Sequence, residues 1–92
     1  MEQGASSGFA KRVLQARLDA GARRGKALTQ TEVAEKMKVT QATVGRWESG
    51  DAEPDLGTIA RLAKVLGADP RDLAFGPAVN DEPAKRRRAG NG

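Results

Sequence analysis

The chain has 92 residues, no cysteine and no histidine, and a formal net charge of +4. That length allows one small domain with a modest core. Without cysteine there are no disulfides or thiolate metal sites, and without histidine the commonest general base and metal ligand is missing. No apolar run reaches signal-peptide or bilayer-spanning length, so the expectation is a soluble, intracellular protein. An isoelectric point near 10.0 favours an acidic partner, of which nucleic acid is the commonest. The excess is unevenly placed. Lys85, Arg86, Arg87 and Arg88 form a run near the end, while Gly8 to Gly76 holds twelve Lys or Arg against nine Asp or Glu, leaving +3. The aromatic residues are Trp47, Phe9 and Phe75 alone, which argues against a single-strand binder that stacks bases on aromatic platforms.

Residues 1–7 are nearly without apolar side chains and are expected to be disordered, with Ser6 or Ser7 placed to cap a first helix. From Phe9 the residues Phe9, Val13, Ala16 and Ala20 recur at helical spacing, and Gly21 is a natural stop. The segment Ala22–Ala27, ARRGKA, follows as a basic connection. It is either a solvated loop or a source of phosphate contacts from Arg23, Arg24 and Lys26. Thr29 and Thr40 then read as N-caps of a second helix, Gln30 to Met37, and a third, Gln41 to Ser49. Gly50 ends the third helix. Asp55 caps a fourth, Leu56 to Leu66, with the stripe Leu56, Ile59, Leu62, Ala63 and Leu66, and Gly67 ends it. Asp69-Pro70 opens a short fifth helix carrying Leu73 and Phe75, aspartate as cap and proline at the first helical position. No strand-like alternation occurs, so the predicted fold is all-α with five helices. The organisation is a disordered segment 1–7, one domain 8–76 and a flexible basic tail 77–92.

The stretch Leu28–Gly50 organises the rest. Val33, Met37, Val39, Val44 and Trp47 are spaced for two helices crossing over one core, with Trp47 expected inside. The other third-helix positions, Gln41, Ala42, Gly45 and Arg46, make one outward edge without a carboxylate. An edge of amide, small residues and guanidinium is suited to reading base edges.

In the order FAKRVLQAR, LTQTEVAEKM, VTQATVGRWESG, Pro54 with LGTIARLAKVLG, and DPRDL, the chain resembles the lambda-repressor-like, Cro-type helix-turn-helix family. Phage repressors are the standing example of that docking geometry. The resemblance implies a DNA-binding domain with the helix-turn-helix at helices two and three. It further implies that Gln41 pairs with an adenine and that Ala42 meets a thymine methyl or leaves room. Arg46 would fork onto guanine or hold a phosphate. Gln30 would contact a phosphate and buttress Gln41, with Thr29, Thr40 and Thr43 near the sugar-phosphate backbone. Arg17 resembles the first-helix arginine that pairs with a glutamate at the place of Glu48. Three departures stand out: Lys38 where the turn usually has glycine, the inserted ARRGKA, and acidic Asp51, Glu53 and Asp55 after Gly50.

One reading helix covers too few base pairs for useful specificity, and relatives bind palindromic operators as two-fold dimers. Leu73 and Phe75 of the fifth helix, with the end of the fourth, are the expected dimer surface. The leading expectation is thus a double-stranded DNA-binding transcriptional regulator, simplest as a dimeric repressor, cytoplasmic and associated with the nucleoid. The alternative is an antitoxin-type autoregulator, or an adaptor that docks a protein partner through this fold and the tail. No catalytic residue, metal ligand or cofactor is expected, because the chain lacks the side chains and glycine-rich loops such sites use.

Overall fold

The computed structural model describes the backbone of residues 4–76 and side chains from Gly8 to Gly76, so the tail 77–92 lies outside the described residues. Among the described residues five helices follow one another: α1 (Gly4–Arg24), α2 (Gln30–Met37), α3 (Gln41–Ser49), α4 (Leu56–Leu66) and α5 (Pro70–Phe75). The starts of α2 to α5 are set by side-chain caps. Thr29 Oγ1 accepts from the Glu32 N–H at 3.1 Å, Thr40 Oγ1 from Thr43 at 3.2 Å and Asp55 Oδ1 from Thr58 at 2.8 Å. Asp69 Oδ1 accepts from both Arg71 and Asp72. These bonds satisfy N–H groups of the first helical turn, and the Thr43 N–H also reaches the Thr40 carbonyl at 3.0 Å.

The first helix departs from expectation at both ends. It begins at Gly4, so Ser6 and Ser7 lie within its span rather than at its cap. It also runs straight through Gly21, which is buried. A Cβ there would stand 3.0 Å from the Leu28 nitrogen and 3.2 Å from the Lys26 oxygen. Gly21 therefore serves the close approach of the returning backbone, not a stop. The stop is Gly25, at φ +76. There the Gly25 N–H donates to the Ala22 carbonyl at 3.3 Å and the Lys26 N–H to Gly21 at 3.1 Å. That pair of bonds is a Schellman ending. Arg23 and Arg24 consequently sit on the helix, and only residues 25–29 connect α1 to α2.

The same ending closes α2 and α4. At α4 the left-handed residue is Gly67, at φ 68. At α2 it is Lys38, at φ 61 and ψ 43, with bonds from the Lys38 and Val39 N–H groups to Glu35 and Ala34. The turn tolerates lysine because both bonds form and Val39 packs partly buried on the core. The strain costs roughly 1 kcal/mol.

The core gathers Phe9 and Val13 from α1, Leu28, and Val33, Ala34 and Met37 from α2. Val44 and Trp47 join from α3, Ile59, Leu62, Ala63 and Leu66 from α4, and Leu73 from α5. α3 lies against α1 and α2, α4 against α2 and α5, and α5 returns to α1. Trp47 is a core residue, as its spacing indicated. Two apolar expectations need correction. Leu56, at the first position of α4, is 63 % exposed instead of joining the stripe, and Leu73 is only 3 % exposed. Leu73 therefore completes the core and leaves Phe75, 70 % exposed, as the outward half of the expected dimer pair. No helix among the described residues is long and apolar enough to cross a membrane.

Two glycine exchanges test this account by urea denaturation. Lys38→Gly removes the left-handed strain and should raise stability by up to about 1 kcal/mol, less the entropy a glycine adds to the unfolded chain. Gly21→Ala should lower stability although alanine is the better helix former by about 1 kcal/mol, because its methyl meets backbone. A stabilised Gly21→Ala protein would contradict the close-approach reading.

Candidate functional site

The outward edge of α3 forms as the spacing requires. Burial of Val44 and Trp47 turns that side of the helix inward, which leaves Gln41, Ala42 and Arg46 exposed and Gly45 half-buried. Thr40 and Thr43 flank the start of α3, their hydroxyls 2.9 Å apart, and Arg46 Nη2 reaches the Thr43 hydroxyl at a long 3.4 Å. At that distance the guanidinium is barely held and remains available to a ligand. The first turn of α3 contains no acidic residue, so its positive dipole end is not neutralised within the helix.

The two amides that open α2 and α3 meet. Gln41 Nε2 donates to Gln30 Oε1, and Gln30 Nε2 donates in turn to Glu48 Oε1 at 2.9 Å. A Cβ on Gly45 would lie 3.6 Å from Gln30 Oε1 and 3.8 Å from Gln41 Nε2, so the bare glycine leaves the amide pair uncovered. Behind it stands the ion pair expected from the resemblance. Arg17 Nε donates to Glu48 Oε2 at 2.7 Å and Arg17 Nη2 to Glu48 Oε1 at 2.9 Å, a bidentate fork, while Nη1 donates to the Leu28 carbonyl at 2.8 Å. The hydrogen bond to Glu48 raises the Arg17 pKa above its ordinary value.

The expected backbone-contact residues divide. Thr29, Gln30, Thr40 and Thr43 gather at the front of α2 and α3. Arg23 does not join them: its Nη2 donates to the Leu66 carbonyl at 2.8 Å and caps the end of α4. Arg24 is a fork on Glu32, with both bonds under 2.9 Å, and it also donates to the Lys26 and Ala27 carbonyls. Of the basic insertion, Lys26 remains an exposed cation beside the start of α2, with no side-chain hydrogen bond among the described residues. The Arg23 contact is not legible in the sequence because Leu66 lies 43 positions away, whereas the Arg24 partners are all close, Glu32 being 8 positions on. One signal was present, however: R-R-G-K is a basic last turn followed by glycine, the usual mark of a helix end. Arg12, not singled out from sequence, donates to the Leu73 and Ala74 carbonyls at 2.9 Å each and fastens α5. The acidic connection also acquires a structural role, since hydrogen bonds from Thr58 cap α4 on Asp55 and lower its pKa.

The chain matches the helix-turn-helix family over residues 22–73, more than half its length, from within α1 to Leu73. It belongs to that family, in its Cro-type, lambda-repressor-like form. It is similar to the Escherichia coli HTH-type transcriptional regulator DicA, 38 % identical over 48 residues, or 52 % of this chain and 36 % of DicA. It is also similar to antitoxin HigA1 of Mycobacterium tuberculosis, 37 % identical over 60 residues, covering 65 % of this chain and 40 % of HigA1. An uncharacterized HTH-type transcriptional regulator of Haemophilus influenzae is 31 % identical over 61 residues, 66 % of this chain and 26 % of that protein. The chain thus spans well under half the length of these relatives. No solved structure gave a significant match.

The two ion pairs should respond differently to truncation. Arg17 and Glu48 side chains are 15 % and 6 % exposed, against 36 % and 33 % for Arg24 and Glu32. Arg17→Ala strands a buried carboxylate and should cost about 3 kcal/mol in denaturant titration. Arg24→Ala should change neutral-pH stability little, because water screens that pair. The hydrogen bond from Arg24 lowers the Glu32 pKa, so the pair's contribution is present above 4.5 and fades as pH falls below it.

Proposed function

We propose that the chain is a double-stranded DNA-binding transcriptional regulator that lays α3 in the major groove. In this reading Gln41 pairs with the N6/N7 edge of adenine and Ala42 packs against a thymine methyl or leaves room for a base. Arg46 forks onto guanine or holds a phosphate. Thr29, Gln30, Thr40, Thr43 and Lys26 hold the sugar-phosphate backbone. Arg23 and Arg24 are left out of the contact set, because their guanidiniums already have partners inside the fold. The observation that carries the proposal is the uncovered Gln30–Gln41 amide pair at the front of a helix whose outward edge has no carboxylate.

Reading a useful site requires two copies, and the surface best suited to pairing them centres on Phe75. With Leu56, Ala60, Pro70 and Ala74 it lines a shallow apolar groove between α4 and α5. A two-fold dimer there would bind a palindromic operator with half-site centres about 34 Å apart, and occlusion of a promoter makes repression the simplest outcome. An antitoxin-type autoregulator that also docks a protein partner is the second reading, favoured by the similarity to HigA1. The tail 77–92 would then supply the partner contact.

Binding-site selection from random DNA tests the contacts. Gln41→Ala should relax preference at one base position by about ten- to a hundredfold, and Arg46→Ala should do the same at a second position where it reads guanine, or weaken all sites alike where it holds a phosphate. A half-site whose preferences survive both exchanges contradicts the assignment. Phe75→Arg should abolish dimers in sedimentation at high concentration, while the fold by circular dichroism is unchanged. A wild-type protein that is monomeric both alone and on operator DNA would remove the two-fold reading.

A further inference from the structure

We propose that Glu48, an inward-facing residue of α3, is a specificity-determining positioning residue that sets which base Gln41 accepts. The inference rests on the reading of α3 as the base-reading helix and adds a cause for its preference. An amide presents an acceptor and a two-hydrogen donor of nearly the same shape, so an isolated glutamine can face a base edge either way round. Here the direction is imposed from within. A carboxylate engaged by a guanidinium only accepts, and Glu48 Oε1 already receives Arg17 Nη2 at 2.9 Å. Gln30 must therefore turn its Nε2 toward Glu48, as it does at 2.9 Å. Its Oε1 is then directed at Gln41, which can answer only with Nε2.

The consequence falls on the base edge. With one of its two amide hydrogens committed to Gln30, Gln41 keeps one acceptor and one donor for a ligand. Adenine offers N6–H₂ and N7, one donor and one acceptor, and matches. Guanine offers O6 and N7, two acceptors that require two donors, and does not. Arg17, Glu48 and Gln30 thus convert the sign of a partly buried ion pair into discrimination against guanine. Ala42 and Gly45, the nearest residues of that edge, supply no donor, and Arg46 stands five residues further along the helix, so the base that meets Gln41 is read by its amide.

The experiment measures the adenine-over-guanine preference at the Gln41-dependent position by competition between duplexes that differ there alone, for the full chain and three variants. Gln41→Ala should abolish the preference; if it survives, the reading of α3 fails and the relay fails with it. Glu48→Gln has nearly the same shape but can donate toward Gln30, so the relay can reverse. The preference should fall about tenfold. Gln30→Ala cuts the relay while leaving Arg17–Glu48 in place, and should give a similar fall whatever it costs in total affinity. It decides the matter alone if Glu48→Gln does not fold. A purely structural role for Glu48 would weaken binding to both duplexes equally. If Gln41→Ala removes the preference while Gln30→Ala and any folded Glu48→Gln protein retain it, the relay is overturned and the reading of α3 stands.

Discussion

The fork from Arg17 to Glu48 joins the first helix to the third at two bonds and, through the Leu28 carbonyl, to the approach of the second. An ion pair this little exposed contributes orientation more than net stability, because desolvation offsets much of its attraction. Orientation is what so short a helix needs. α3 is only nine residues long and would be marginal alone, so its pose depends on what holds it. Trp47 and Val44 bury one side, and Glu48 fixes the rotation about the axis. The exposed edge then follows as a remainder: what is neither buried nor tied to α1 faces out.

The other arginines of α1 repeat the device on a smaller scale. Arg12 closes on the carbonyls at the end of α5, Arg23 on the end of α4, and Arg24 on Glu32 at the start of α2. Helix C-termini carry carbonyls without backbone partners, and a guanidinium satisfies them while opposing the negative end of the dipole. In a domain with so modest a core, such bonds help to choose one arrangement of helices among similar ones. The basic composition therefore has two meanings in one chain. Much of the positive charge of α1 is internal architecture, whereas Arg46 on the α3 edge and Lys26 ahead of α2 are exposed.

Where a residue acts on its neighbours in sequence, its role was legible. The bounds of α2 to α5 follow from Thr29, Thr40, Asp55 and Asp69 as caps and from Gly50 and Gly67 as ends. Burial of Val33, Met37, Val44 and Trp47 follows from spacing. Roles set by distant partners were not legible. Gly21 has the appearance of a stop, and only the fold brings Leu28 against it. Arg23 reads as a loop cation until Leu66, 43 positions later, is seen beneath it. Leu56 and Leu73 exchange expected places because a stripe gives a face and not its limits. The Arg17–Glu48 pair was foreseen through the resemblance, but its onward bond to Gln30 was not.

The most direct test of the central claim, that the α3 edge is where this protein meets DNA, is a side-chain amide and backbone nuclear magnetic resonance titration. A short random-sequence duplex at low salt suffices, since backbone attraction alone gives measurable binding under those conditions. The Gln30 and Gln41 side-chain amides and the backbone from Thr40 to Arg46 should shift most, together with the turn around Thr29. The groove around Leu56 and Phe75 should shift little. Shifts concentrated in that groove or along the outer side of α1, with the α3 amides unmoved, would contradict it.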